Sequence, residues 1–367
     1  MLKSIIGVLT FFIILFFYLH ICFHLKTSDD LEVYEVEQYS KEKMEEVCDI
    51  RQPVVFNNSH ELNGLAAATS LAVLTSEHSL FEVNVRRGAL DGGVNDGVND
   101  GVNDGGPSSD GELYTPMSLQ TCEQIINAKP GYFSESNAEF LKESGCTRHI
   151  QFNDGELRPA FVSNCYYDVI FGSNGTTTPL RYALNYRNFF MVTHGQVTVK
   201  LSPPKSEKYL YATNDYENFE FISPINPWSP QEKYTVDFSK TKCVDIQLSP
   251  GKILFIPSKW WYSIRFDEKS SITNFSYRTY MNNIAMSPSL FMCTLQNQNI
   301  QRRFLHVKTN ENSNARDMSS VTAEAPGLSD EPAITGTCTA TPTPDTVIEQ
   351  PIASNDAAPY HAEVGEV

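Results

Sequence analysis

The chain opens with the run IIGVLTFFIILFFYLHICF at 5–23, apolar on all sides and about as long as a bilayer core is thick. Beyond it the pattern becomes that of a globular protein. Residues 33–36 read as a short strand, Ser40 as the cap of a helix that runs through Val47, and PVVF within 52–57 as a second strand. A polar break follows. From Tyr114 order resumes: Ser118 caps a helix over 119–127 that Pro130 stops, and Ser136 with Glu139 has the spacing of a capping box for a short helix ending at Gly145. The second half alternates in the manner of strands, at 189–193 and 197–201 around a turn at Gly195, with His194 as a hairpin-turn residue. Further strands are predicted at 244–248, 253–257, 261–266 and 272–280. Ser287 and Pro288 start a helix toward Arg303.

Two stretches lack this patterning. GVNDGVNDGVNDGG, starting at Gly93, is a tandem tetrapeptide, and an insert over about 90–112 is expected to be disordered. A calcium reading fails because the spacing fits neither an EF-hand nor a nonapeptide repeat and no Glu closes a loop. The Thr-, Pro- and acid-rich tail at 306–367 is also expected to be disordered. The chain therefore divides into a short tail at 1–4, a span at 5–23, a globular body at 31–305 and the terminal tail. The fold class is mainly β with flanking helices, since short strands at regular spacing suit a jelly roll.

The span reads as an uncleaved signal anchor, because no small-residue cleavage pattern follows it between His20 and Lys26. His20 and His24 are interfacial residues at its end. The body is expected on the luminal or exterior side. Sequons begin at Asn57 (the string Asn57-Asn58-Ser59), Asn174 and Asn274. The last falls in a predicted strand, which leaves Asn57 and Asn174 as glycosylation candidates. With 28 Lys and Arg against 44 Asp and Glu, the net charge of -16 argues against a nucleic-acid partner. Of eight cysteines, six lie in the body, and no C-x-x-C signals zinc. Disulfides among the six are open, with pairing that spacing cannot choose. Cys146 and His149 at i, i+3 read as a loop coincidence.

Two core segments carry a family resemblance: TTTPLRYALNYRNFF at 176–190 and PGKILFIPSKWWYSI at 250–264. They resemble the metal-binding strands of JmjC-type, cupin-like Fe(II)/2-oxoglutarate oxygenases, in particular the branch of the hypoxia-factor asparaginyl hydroxylase. PVVF and the Y-F-x-x-x-N stretch from Tyr132 to Asn137 add weaker likeness. The resemblance implies a double-stranded β-helix and a C-terminal helical region that makes homodimers.

In that family the first segment reads T-P-L-H-x-D and the second ends W-W-H, the two His and the Asp holding iron. Here the matching positions are Arg181, Ala183 and Tyr262. Residues i and i+2 of a strand share a face, so the spacing that aims two ligands at one metal survives while the donors do not. A shifted alignment does not restore them: no His, Asp, Glu or Cys lies between Pro179 and Thr193, and no His between Gly195 and Leu305. Of the cosubstrate-pocket positions, Thr178 matches, Asn188 and Asn274 match Asn-aromatic pairs, and Val197 replaces the lysine that would pair with the distal carboxylate. Lys200 falls on the opposite strand face. Trp260 and Trp261 are expected in the pocket wall.

The expectation is a catalytically inactive binding or assembly module with no cofactor, whose partner is a protein, a peptide or a small anion. The alternative is an Fe(II)/2-oxoglutarate-dependent hydroxylase or demethylase with ligands recruited from elsewhere, such as His149 or His194. Arg181 should point into the cavity, either pairing with Tyr262 and backbone carbonyls or holding an anion with Thr178 and Tyr262.

Overall fold

The computed structural model describes residues 2–37, 40–57, 60–90, 114–216 and 219–296. The GVND repeat, the tail from 306 and the predicted helix beyond 296 lie outside the described residues, as do Asn58 and Ser59 of the first sequon.

In the N-terminal half the strands are β1 (Tyr34–Val36), β2 (Val54–Asn57), β3 (Glu82–Arg87), β4 (Ala89–Leu90), β5 (Thr115–Ser118), β6 (Tyr132–Ser134), β7 (Val162–Gly172), β8 (Thr176–Thr177) and β9 (Arg181–Tyr182). The core continues with β10 (Arg187–His194), β11 (Val197–Ser202), β12 (Thr213–Asp215), β13 (Glu220–Ile222), β14 (Val244–Leu248), β15 (Lys252–Pro257), β16 (Trp261–Phe266) and β17 (Ser270–Thr279). The first sheet has the order β1-β2-β15-β10-β17-β7-β6-β3-β5. The second runs β12-β13-β9-β16-β11-β14, with β8 beside β16 and β4 beside β8.

From β14 to β17 the chain changes sheet at every turn, the winding of a curled double sheet. β10 shows why the first sheet lies at the centre. Phe189 and Met191 face one apolar cluster together with Phe255, Phe275 and Tyr277, whereas Phe190 and Val192 face a second with Leu254, Ile256 and Ile272. Period-two alternation of uniformly apolar residues thus fills both faces of one strand.

The chain begins with helix α1 (Leu2–Leu25), which adds nothing to the first cluster; that cluster is closed by α2 (Lys41–Cys48), α3 (His60–Ala68), α4 (Leu71–His78), α5 (Leu119–Ala128), α6 (Ala138–Glu143) and α7 (Cys146–Asn153), which supply Met44, Leu65, Leu74, Cys122, Phe140 and Ile150. The described helices are completed by α8 (Thr235–Phe238) and α9 (Tyr280–Ala285), after which 287–296 is again helical. Ser40 and Ser118 cap α2 and α5 as expected, accepting from Lys43 N and Thr121 N, each at 3.3 Å.

Three expectations need correction. The segment after 57 is not simply a polar break, because AAATSLAVLTSEH and its flanks form α3, α4 and β3. Ser136 does not cap α6: its backbone is left-handed (φ +61°), and Asn137 is the N-cap without a side-chain cap bond. The helix stops at Glu143, and Gly145, left-handed at φ +81°, opens α7 instead. Finally, His194 and Gly195 do not form a hairpin. β10 pairs with β15 and β17, β11 with β14 and β16, so the turn carries the chain from one sheet to the other. Gly195 is required there, since φ is +72° and an added Cβ would lie 2.3 Å from the carbonyl oxygen of Lys269.

Candidate functional site

Strands β9 and β16 run antiparallel with Arg181 opposite Tyr262 and Tyr182 opposite Trp261. Arg181 and Tyr262 therefore project from one face, and the guanidinium carbon of Arg181 lies 5.6 Å from the Tyr262 ring centroid. Ala183, two residues on, lies just past the end of β9, its carbonyl accepting from Lys259 N at 2.8 Å.

The acceptor for the partly buried Arg181 cation is a residue that the sequence did not single out. Glu135, just after β6 and only 2% exposed, receives both terminal nitrogens of Arg181: Nη1 at 2.9 Å from Oε1, and Nη2 on Oε2. Its Oε1 also lies 2.6 Å from Nη2 of Arg86, itself 5% exposed. The Tyr114 hydroxyl is 3.2 Å from Glu135 and from Glu220, and the Tyr114 and Phe133 rings lie 5.0 and 5.1 Å from the Arg86 guanidinium carbon. Burial alone would push the Glu135 carboxyl up, but Arg181 and Arg86 offset it and hold it below the ordinary carboxylate range. Burial likewise opposes the charge on Arg181, and Glu135 reverses that, so the guanidinium stays charged well beyond its ordinary range. Tyr262 is raised by burial and remains a phenol.

Arg181 thus does not pair mainly with Tyr262 and carbonyls, and its charge is already met by Glu135 rather than open to an anion. The signal was present within the Y-F-x-x-x-N stretch: Glu135 is the acid of YFSES, and a buried arginine requires an acid.

The other candidate positions are built into the scaffold. The Thr178 hydroxyl accepts from Ile264 N at 2.9 Å, and its carbonyl accepts from Ser263 Oγ at 2.6 Å. Val197 is 1% exposed within the inner cluster. Asn188 and Asn274 are joined through Ser276, whose Oγ lies 2.9 and 3.1 Å from their side-chain oxygens, while their amides donate to the Ile256 and Phe189 carbonyls. Trp260 packs into the inner cluster and Trp261 into a separate one with Leu180, Leu210 and Ile225, so the pair splits between two faces. Lys200 turns away from Val197 to Asp245 at 2.8 Å and to the Trp228 ring.

Asp168, on the same row of the sheet as Asn274 and Phe190, accepts from the backbone N–H groups of Ser136, Asn137 and Val169 at 2.8, 2.6 and 2.9 Å. Burial, with a smaller push from Glu135, raises it to about 7 in spite of those donors.

The residues at the three ligand positions do not fit iron. Arginine has no lone pair to give, alanine has no donor, and the Tyr262 phenol is protonated. His149 and His194 are both exposed; Cys146 and His149, expected in a loop, both lie on α7, and Cys146 Sγ is 3.5 Å from His78 Nε2. Among the described residues no three His, Cys, Asp or Glu side chains are grouped to hold a metal. Among the described residues no disulfide joins Cys48, Cys122, Cys146, Cys165 or Cys243. Asn174 is exposed in the turn between β7 and β8, Asn57 is half-buried at the end of β2, and Asn274 is half-buried within β17.

The fold defines a curled-sheet, cupin-type domain. A family model of the cupin-like domain matches residues 40–283, and the chain belongs to that family. It is similar to human HSPB1-associated protein 1, 33% identical over 94 residues that make up 25% of this chain and 19% of that protein. It is also similar to lysine-specific demethylase 8 of Danio rerio, 30% identical over 105 residues (29% of this chain, 25% of that protein). A third relative is JmjC domain-containing protein D of Dictyostelium discoideum, 29% identical over 94 residues (26% and 21%). The matched stretch spans about a fifth of the length of the HSPB1-associated relatives.

Proposed function

We propose that this chain is a membrane-tethered cupin-like protein that does not turn over 2-oxoglutarate and serves as a binding or assembly module. The observation that carries this reading is the Arg86–Glu135–Arg181 ion triad. One of its cations stands where the family places a metal ligand, and its carboxylate is fully engaged by two guanidinium groups. A site built for Fe(II) needs neutral imidazoles and a free carboxylate; this one holds fixed positive charge that would repel a divalent cation. Val197 further leaves the distal carboxylate of the cosubstrate without a partner.

The tether is α1, a helix with mean hydropathy 2.6 over its most apolar window and long enough to cross a bilayer. The body is read as luminal or exterior. Metal analysis of the full chain purified in detergent, together with a succinate-release assay under Fe(II), ascorbate and 2-oxoglutarate, tests the central reading. The expected result is far less than one iron per chain and no succinate above the buffer. One tightly held iron per chain with 2-oxoglutarate-dependent succinate release would overturn it.

A further inference from the structure

The C-terminal half of α1 does not stand clear of the body. Phe16, Leu19 and Phe23 form one wall of a cleft of about 870 Å3, and Pro159, Phe161 and Tyr280 form the other. The contact is fixed at its polar end. His24 Nε2 lies 3.1 Å from Thr279 Oγ1, and the Arg51 guanidinium lies 5.0 Å from the Phe23 ring and 4.8 Å from the Tyr186 ring.

Around this cleft the body shows water a set of large apolar side chains: Phe161 is 85% exposed, Tyr280 63% and Ile284 38%. Phe161 is also left-handed at φ +56°, an uncommon conformation for a bulky residue, and its carbonyl accepts from Tyr280 N at 3.3 Å. The loop therefore holds a phenyl ring outward, at a conformational cost, beside a helix that is itself apolar.

Helix geometry sets the depth. The apolar run ends at Phe23, and Phe16 is seven residues earlier, about 10 Å back along the axis at 1.5 Å per residue. A body whose cleft extends to Phe16 must reach about 10 Å past the end of that run, into the headgroup and upper acyl layer where interfacial apolar groups settle.

We propose that Phe161, Tyr280 and Ile284 form a rim that inserts into the bilayer interface around the exit of α1, docking the body on the membrane in a fixed pose with lipid filling the cleft. The proposal rests on the reading of α1 as a span. The polar floor carries Glu45, Asp49 and Arg187, with Arg187 Nη2 3.0 Å from Asp49 Oδ1. With the Arg51 guanidinium beside that floor, over the Phe23 and Tyr186 rings, two acids face two cations, a balance that matches a zwitterionic lipid.

The test uses the full chain in phosphatidylcholine vesicles with Phe161→Trp, the emission of the native Trp228, Trp260 and Trp261 being subtracted from wild-type measurements. Ile284→Trp is a second reporter and Tyr211→Trp, outside the cleft, a control. With acyl chains brominated near the headgroup, emission of the added indole at 161 and at 284 should fall at least twofold while the control changes little. A chain that resists carbonate extraction but shows quenching at neither position overturns the rim and leaves the span standing. Release of the chain by carbonate overturns the span, and the rim with it.

Discussion

Arg181 and Tyr262 face one another across β9 and β16, the guanidinium carbon 5.6 Å from the ring. The strand register places a cation over an aromatic face, worth about 0.5–2 kcal/mol depending on how dry the pair is. That contact alone would not hold a buried guanidinium. Glu135 supplies the balance from outside the two diagnostic segments, and the stability of the site turns on it.

Removing that carboxylate leaves Arg86 and Arg181 close together and uncompensated. Glu135→Gln should lower stability by about 3–5 kcal/mol, the usual result of breaking a buried ion pair from one side. Replacing the triad together, Arg86→Met, Glu135→Leu and Arg181→Met, should cost far less. Urea denaturation of the three proteins checks the order. A loss below about 1 kcal/mol for Glu135→Gln would mean the triad is not structural.

Asp168 and Glu135 give opposite pH dependences. Glu135 is held below its ordinary value, so its contribution is present above the ordinary carboxylate range and fades as pH falls through the depressed value. Asp168 is raised by burial from 3.8 to about 7, so its contribution is complete below 3.8 and is lost as pH rises through about 7. Asp168→Asn should therefore gain relative to wild type between pH 5 and pH 8. Chemical denaturation at the two pH values measures the gain, and an unchanged difference would rule out the raised carboxyl.

Much of the core was legible because both faces of its strands are apolar and bounded by turn residues: β16 begins and ends where WYSIRF does, and Ser40 and Ser118 cap as their spacing implies. That Arg181 and Tyr262 share a face is shown by their cross-strand pairing. Glu135 was overlooked, because the YFSES stretch that holds it does not name its partners: Arg86 lies far off in sequence on the neighbouring strand β3, and Arg181 on β9 of the facing sheet. The Gly195 turn was misread for the same reason. Local sequence specifies a reversal, but whether the next strand pairs with its predecessor or crosses to the facing sheet is decided by the partners β14 and β16.

Two glycines with the same backbone sign separate conformation from space. Gly195 (φ +72°) has the Lys269 carbonyl oxygen 2.3 Å from an added Cβ, whereas Gly175 (φ +73°) has nothing within 4 Å. Gly175→Ala should cost about 1 kcal/mol and Gly195→Ala clearly more, about 2–4 kcal/mol. Equal losses in thermal denaturation would show that the close approach to Lys269 is relieved without cost.

Asn174 sits exposed in a turn, whereas Asn274 lies in β17 between β10 and β7, with its amide on the Phe189 carbonyl. With the body in the secretory lumen, the chain should show a glycosidase-sensitive mass shift that Asn174→Gln reduces and Asn274→Gln leaves unchanged. Expression in a eukaryotic secretory system with no shift at all would place the body on the cytosolic side.

Arg181→His, Ala183→Asp and Tyr262→His together return three donors to positions whose register already fits, and leave Glu135 in a one-to-one pair with Arg86. Two neutral imidazoles and a carboxylate are a sufficient donor set for a divalent first-row metal. Titration with Co(II) should give a visible absorption band in the triple variant and none in wild type. Oxygenase turnover should still be absent, because Val197 remains a buried apolar residue where a cation would be needed for 2-oxoglutarate. Adding Val197→Lys is then the step expected to bring cosubstrate affinity, read as a change in the Co(II) spectrum on addition of 2-oxoglutarate. A triple variant that stays folded and binds no Co(II) would show that Ala183, just past the end of β9, is not aimed at the site that Arg181 and Tyr262 share.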